Sequence, residues 1–208
     1  MRQSNLVDDM KLHKKNCLIF CGIAWIVIIF FCIYLLMQYE GFPGEKGRAP
    51  QFLAPNKIIK TTNLPTLILF VHPRCPCTRA TINELSIIMT KCKDKVNANV
   101  LFFTPTGYPD SWAKTDTYYS TKLIPQVKVY FDRGGKQIKR FHALTSGHVL
   151  LYDSSKKLIF SGGITKSRGN IGANLGLYSV IEKIKANKEQ KVTETSVYGC
   201  SFTKKKLI

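Results

Sequence analysis

The chain has 208 residues and a formal charge of +18, from 31 Lys and Arg against 13 Asp and Glu. That length accommodates one domain plus an appendage. The charge does not mark a nucleic-acid binder, because the basic residues are spread along the chain among apolar segments and the only dense cluster is Lys204-Lys205-Lys206; a diffuse positive surface suits a domain held beside anionic lipid instead.

The first predicted element is a membrane span. No residue from Asn16 to Tyr39 is charged, and that run exceeds the roughly 20 residues a helix needs to cross a bilayer core. A cleaved signal peptide has an apolar core of only about 7–15 residues ending in small residues, whereas this run ends Leu35-Leu36-Met37-Gln38-Tyr39. Segment 16–39 therefore reads as an uncleaved anchor, with Tyr34 and Tyr39 in the aromatic belt at its exit. Arg2, Lys11, Lys14 and Lys15 precede it, against Lys46 and Arg48 just after it. The positive-inside rule then makes 1–15 a cytoplasmic segment and puts the remainder in the periplasm or outside the cell, where disulfides persist. Of the seven cysteines, Cys17, Cys21 and Cys32 fall in or beside the span, which leaves Cys75, Cys77, Cys92 and Cys200 for the soluble part.

Residues 40–63, rich in Gly, Pro and charge near Gly41–Pro50, read as a linker. A domain is predicted over 64–190, followed by a tail, 191–208, that carries Cys200. Thr66 to Val71 is an apolar run of strand length, suited to a strand buried on both faces. Thr78 to Cys92 places Ile82, Leu85, Ile88, Met89 and Cys92 on one helical stripe, with Thr81 and Glu84 spaced as a capping box. Val100 to Thr104 reads as a strand, Pro109 to Leu123 as a helix opened by Pro109, Asp110 and Ser111, and Val127 to Phe131 as a strand closed by the Gly134-Gly135 turn. A short helical segment packs Phe141. His148–Tyr152 and Lys157–Ser161 pair as a hairpin, and Leu177, Val180, Ile181 and Ile184 mark a last helix. This order predicts an α/β sandwich around a central sheet. Gly162 to Gly172 lacks the Gly-Lys-Ser/Thr ending of a phosphate loop; its glycines shape a turn, and Ser167, Arg168 and Asn170 are candidates to line a polar pocket.

Chemistry concentrates at Cys75-Pro76-Cys77, where the first predicted strand gives way to a helix. The unpaired amides of a helix start carry partial positive charge and favour a thiolate, and Arg74 and Arg79 act in the same sense. Residues two apart point to opposite sides of an α-helix, so a Cys75–Cys77 disulfide needs a turn, which Pro76 supplies. Such a small ring is strained and easily reduced. An intact helix carries Cys92 roughly 22 Å from Cys77, so Cys92 reads as a buried structural cysteine. Cys200 is either a resolving thiol that folds back or a plain tail thiol.

From Leu64 to Phe202 the chain resembles the thioredoxin superfamily, and within it the membrane-anchored RedB-type proteins. The resemblance is carried by Phe70-Val-His-Pro-Arg-Cys-Pro-Cys-Thr-Arg-Ala80, Thr145-Ser-Gly-His-Val-Leu-Leu-Tyr-Asp153, Phe160-Ser-Gly-Gly-Ile-Thr165 with Ser167-Arg168-Gly169, and Tyr198-Gly-Cys200. It implies a thioredoxin-like sandwich and thiol–disulfide exchange with a protein partner. The chain departs from ordinary thioredoxins in having one residue between its cysteines instead of two, and Ser146-Gly147 where a cis-proline faces them.

Three activities follow. In the favoured one, a membrane-tethered oxidoreductase without cofactor, either Cys75 or Cys77 attacks as thiolate and the other resolves, while His72 or His148 shuttles a proton; the expected catalytic set is Cys75, Cys77, Arg74, Arg79 and His148. The alternative is a metallochaperone that binds Cu(I) through Cys75, Cys77 and either His72 or His148, two soft thiolates plus an imidazole being a suitable donor set. A thiol peroxidase ranks third: its Pro-x-x-x-Thr-x-x-Cys pattern begins at Pro73 but finds Cys77 at the Thr position. No Ser/His/Asp order, paired carboxylates or zinc spacing stands out.

Overall fold

A computed structural model describes residues 2–55, 57–59, 62–186 and 191–202, with side chains from Lys14 onward. The Lys204–Lys206 cluster lies outside the described residues. The chain divides into two compact units, residues 1–41 and 42–208.

The first unit is a single helix, α1 (Arg2–Gly41). An 18-residue window within Lys14–Gly41 has a mean hydropathy of 2.9, and none of its residues is buried within the protein. By length and composition it is able to span a membrane.

The second unit is built on a five-stranded sheet of order β3-β2-β1-β4-β5, formed by β1 (Thr66–Val71), β2 (Asn97–Thr104), β3 (Val127–Arg133), β4 (His148–Tyr152) and β5 (Leu158–Gly162). β1 runs parallel to β2, with Leu69 opposite Val100, and antiparallel to β4, with Leu69 opposite Val149. β2 and β3 are parallel, and β4 and β5 form the predicted hairpin. All six residues of β1 are buried, because alternate side chains enter two separate cores, each satisfying the period-two geometry of a strand. Leu67, Leu69 and Val71 pack with Ile82, Leu85 and Ile88 of α2 (Thr78–Lys91) and with Val180, Ile181 and Ile184 of α5 (Leu175–Ile184). Ile68 and Phe70 pack with Ile138 of α4 (Lys136–Arg140), Phe141, Leu150 and Tyr152. Burial of each such side chain contributes about 1.5–3 kcal/mol. The result is the thioredoxin-like sandwich that the resemblance implies.

Three local expectations are corrected. Segment 40–63 is no free linker in its described part: the Leu53 amide bonds to Lys156 O, Leu158 N–H to Gln51 O, and the Tyr152 hydroxyl to Pro50 O, while Leu53 and Ile59 enter the second core. The predicted helix over Pro109–Leu123 is broken into a 3-10 turn (Asp110–Ala113) and α3 (Asp116–Lys122). The break falls at Thr115, whose hydroxyl donates to Pro73 O at 3.1 Å instead of capping its own helix. Thr81 and Glu84 form no capping box, since α2 starts after Cys77 and the buried Glu84 carboxylate accepts from Gly172 N–H at 2.6 Å.

Candidate functional site

The site assembles where β1 ends. His72 to Cys75 makes a turn closed by the Cys75 amide on His72 O at 3.1 Å, and the turn is pinned by Thr115 and Thr117, whose hydroxyls both donate to Pro73 O. A second turn, Thr78 N–H to Cys75 O at 3.0 Å, carries Pro76 and delivers the chain into α2 with Cys77 at its N-cap. Pro76 thus acts as the sequence predicts, presetting the backbone for the turn.

Facing this corner is Ser146-Gly147, and among the described residues there is no cis peptide bond. Ser146 Oγ accepts the His72 amide at 2.9 Å and lies 3.2 Å from Thr78 Oγ1, while Gly147 N–H donates to Phe70 O at 2.8 Å. Gly147 has φ +89°, and a Cβ there would sit 3.1 Å from Thr81 Oγ1. A glycine thus meets both the backbone and the space requirement.

The described part of the tail does not hang free. Ser161 N–H bonds to Thr193 O, Gly163 N–H to Ser196 O, Ser146 N–H to Cys200 O at 2.8 Å and Phe202 N–H to Leu144 O at 2.9 Å. Gly199 approaches Ser146 so closely that a Cβ on it would lie 2.0 Å from Ser146 O. Phe202 packs at a tilt against His72 and Phe103. This strap brings Cys200 to Cys75: the Cys200 amide donates to Cys75 Sγ at 3.3 Å.

The electrostatics follow from these contacts. Cys75 is held down to about 5, first by the Cys200 thiol and then, against the opposing effect of burial, by the amides of Cys200 and Cys77 and the Thr78 hydroxyl. These donors favour the charged form. Cys77 moves the other way, because burial and the neighbouring Cys75 charge and thiol contact oppose its ionisation and Arg168 offsets them only partly. Cys200 is pushed far up, by its bond to Cys75 and by burial. The three thiols therefore divide into one thiolate and two protonated partners, an assignment that the Cys-Pro-Cys spacing leaves open.

The other expected residues are placed as follows. Arg74 lies over the Trp112 ring, 4.5 Å from its centroid, and Arg79 pairs with Asp116, so the thiolate is stabilised by thiol, hydroxyl and amide donors first and not by these two guanidinium groups. His72 is stacked against Phe103, with Nδ1 accepting the Arg74 amide, and burial lowers its pKa. His148 is fully buried on β4, with Nε2 at 2.9 Å from Ser161 Oγ, and burial depresses it to about 4. Its bond to Ser161 gives it a place in the sheet's polar packing. Among the described residues, no group of three or more His, Cys, Asp or Glu side chains is arranged to hold a metal ion. Cys92 is fully buried at the end of α2, with its Sγ 3.9 Å from Ile181 O.

Sequence reasoning missed the structural role of Ser146 and only grazed Arg168. The guanidinium donates to Gly199 O at 2.6 Å and to Phe42 O at 3.1 Å, which ties the tail beside Cys77. The signal available was an arginine in a glycine-rich turn, too common to single out without the tail beside it.

No protein-family model and no curated protein sequence matches the chain. Among solved structures it is similar to an uncharacterized conserved protein from Geobacillus kaustophilus, at 18% identity and TM-score 0.57 over 81% of this chain and 96% of that one. It is similar also to a hypothetical protein from Sinorhizobium meliloti 1021, at 15% identity and TM-score 0.53 over 78% of this chain and 96% of that one. A weaker likeness, with TM-score 0.43 and 15% identity over 60% of this chain and 82% of that one, is to a secreted Mycobacterium tuberculosis disulfide oxidoreductase homologous to E. coli DsbE. What the chain shares with the first two is the fold.

Proposed function

We propose that this protein is a thiol–disulfide oxidoreductase of RedB type, tethered to a membrane by its first helix with the thioredoxin-like domain outside the cytoplasm. Cys75 is the nucleophile of the Cys-Pro-Cys stretch. The observation that carries the reading is the Cys75 sulfur held between the Cys200 amide, at 3.3 Å, and the start of α2, in donors that keep it a thiolate at neutral pH. Exchange proceeds by attack of such a thiolate on a disulfide sulfur through a mixed disulfide. Two neighbouring protonated thiols, Cys77 and Cys200, are available to complete the transfer. Arg2, Lys11, Lys14 and Lys15, which precede the apolar run of α1, favour the N-terminus on the cytoplasmic side.

The test is insulin reduction and scrambled-protein repair by the full chain in detergent micelles, comparing wild type with the Cys75→Ser, Cys77→Ser double variant. Loss of turnover is expected. Turnover at wild-type level in the double variant refutes the function, and alkylation of residues 42–202 by a membrane-impermeant reagent from the cytoplasmic side refutes the orientation.

A further inference from the structure

Cys75 has two candidate partners, and the geometry treats them differently. Cys77 is two residues away, and a bond to it closes a small ring around Pro76. Its backbone is helical, with φ −66° and ψ −21°, and its carbonyl already accepts the Thr81 amide at 3.4 Å. Cys200 comes from the opposite side, 125 residues on, and a bond to it closes a large loop without adjusting the start of α2. Small strained disulfides are the more easily reduced ones.

The strap also holds Cys200 in place independently of any disulfide. Its carbonyl accepts the Ser146 amide at 2.8 Å, its own amide is on Cys75 Sγ, Arg168 grips Gly199 O, and Phe202 is bonded to Leu144 O. Gly199 lies too close to Ser146 for any side chain. A thiol fixed at both flanks stays beside Cys75 while Cys75 is bonded to another molecule, and such prepositioning is what makes an intramolecular second step fast.

We infer that Cys200 is the resolving thiol of this site, so that the oxidised protein carries a Cys75–Cys200 disulfide and Cys77 remains a thiol. The inference rests on the oxidoreductase reading above. In the reducing direction, the Cys75 thiolate attacks one sulfur of a protein disulfide; a Cys75–substrate bond forms and the other substrate sulfur leaves as a thiolate, which takes the Cys200 proton. The Cys200 sulfur then attacks Cys75 Sγ, the Cys75–Cys200 bond forms, and the second substrate sulfur leaves as a thiolate. Two electrons pass from Cys75 and Cys200 to the substrate. The oxidant is the substrate disulfide itself.

The test oxidises the full chain in detergent micelles with oxidised glutathione, blocks remaining thiols with N-ethylmaleimide, and maps tryptic peptides by mass spectrometry. Cys75 and Cys77 share the peptide 75–79, and Cys200 lies in the peptide 192–204. The expected product is these two peptides joined, with one maleimide on Cys77. An internal 75–79 disulfide with Cys200 alkylated, or a Cys77–Cys200 link, overturns the inference. In parallel, Cys200→Ser is expected to slow insulin reduction at least tenfold with an unchanged melting temperature, and an unchanged rate also overturns it. If wild type exchanges disulfides but the map shows Cys75–Cys77, only this inference falls. If the Cys75→Ser, Cys77→Ser double variant still exchanges at the wild-type rate, the oxidoreductase reading falls.

Discussion

Replacing Cys200 by Ala removes the largest single influence on the Cys75 thiolate while leaving the Cys200 backbone amide, 3.3 Å from the sulfur, in place. A hydrogen bond to a charged group contributes about 1.5–3 kcal/mol, and one pKa unit corresponds to about 1.4 kcal/mol. The variant should therefore titrate Cys75 roughly one to two units higher than the wild type's value of about 5. It should not return to the ordinary range, because the amides and Thr78 remain. At about pH 6 the thiolate fraction falls from roughly nine-tenths to between one-half and one-tenth. The assay is alkylation between about pH 4 and 9, resolved to Cys75 by mass spectrometry on the full chain in micelles. Limited access to the buried sulfur scales the rate at every pH, so the midpoint still reports ionisation. A wild-type midpoint near the ordinary cysteine value of 9.0, or a midpoint that does not move in the variant, refutes the account of the site.

Three further outcomes are expected. Cys75 has a folded-state pKa of about 5 against an ordinary 9.0, so its contribution to stability is complete above pH 9.0 and is lost as pH falls through about 5; denaturant unfolding of reduced Cys75→Ser should show a flatter pH dependence across that window, by up to about 5 kcal/mol. His148, depressed from 6.5 to about 4, contributes stability that is present above 6.5 and lost as pH falls through about 4, so His148→Gln should lessen acid sensitivity between those values by up to about 3 kcal/mol in the same measurement. Asp132 accepts the Gln137 and Ile138 amides at the start of α4, and Asp132→Ala should destabilise by about 1–2 kcal/mol, lowering the melting temperature by about 2–8 °C, without moving the Cys75 midpoint.

The parts of this molecule that were legible in its sequence are those whose reasons are local. Thr66–Val71 and the α2 stripe of Ile82, Leu85, Ile88 and Met89 carry their own periodicity, and the Asp153–Lys156 turn announces its hairpin. What the sequence hid depends on bonds between distant residues. Thr115 caps nothing because its hydroxyl is used by Pro73, 42 residues earlier, and Glu84 serves Gly172, 88 residues later. The strap around 193–202 is held mainly through backbone groups, which every residue possesses and no motif records. For the same reason Cys75 and Cys77 could be located but not told apart: what distinguishes them is a thiol and an amide 125 residues away from Cys75.

That separation has a consequence for the growing chain. At about 5–20 residues per second, synthesis of the stretch between the two cysteines takes roughly 6–25 s, and throughout it the nascent protein lacks the donors that Cys200 supplies. Cys75 then behaves more like an ordinary thiol, slow to attack disulfides and slow to be oxidised. A polypeptide interrupted before residue 200 lacks the two strongest donors to Cys75, and the fully lowered thiolate exists only in molecules that have been made through to the strap.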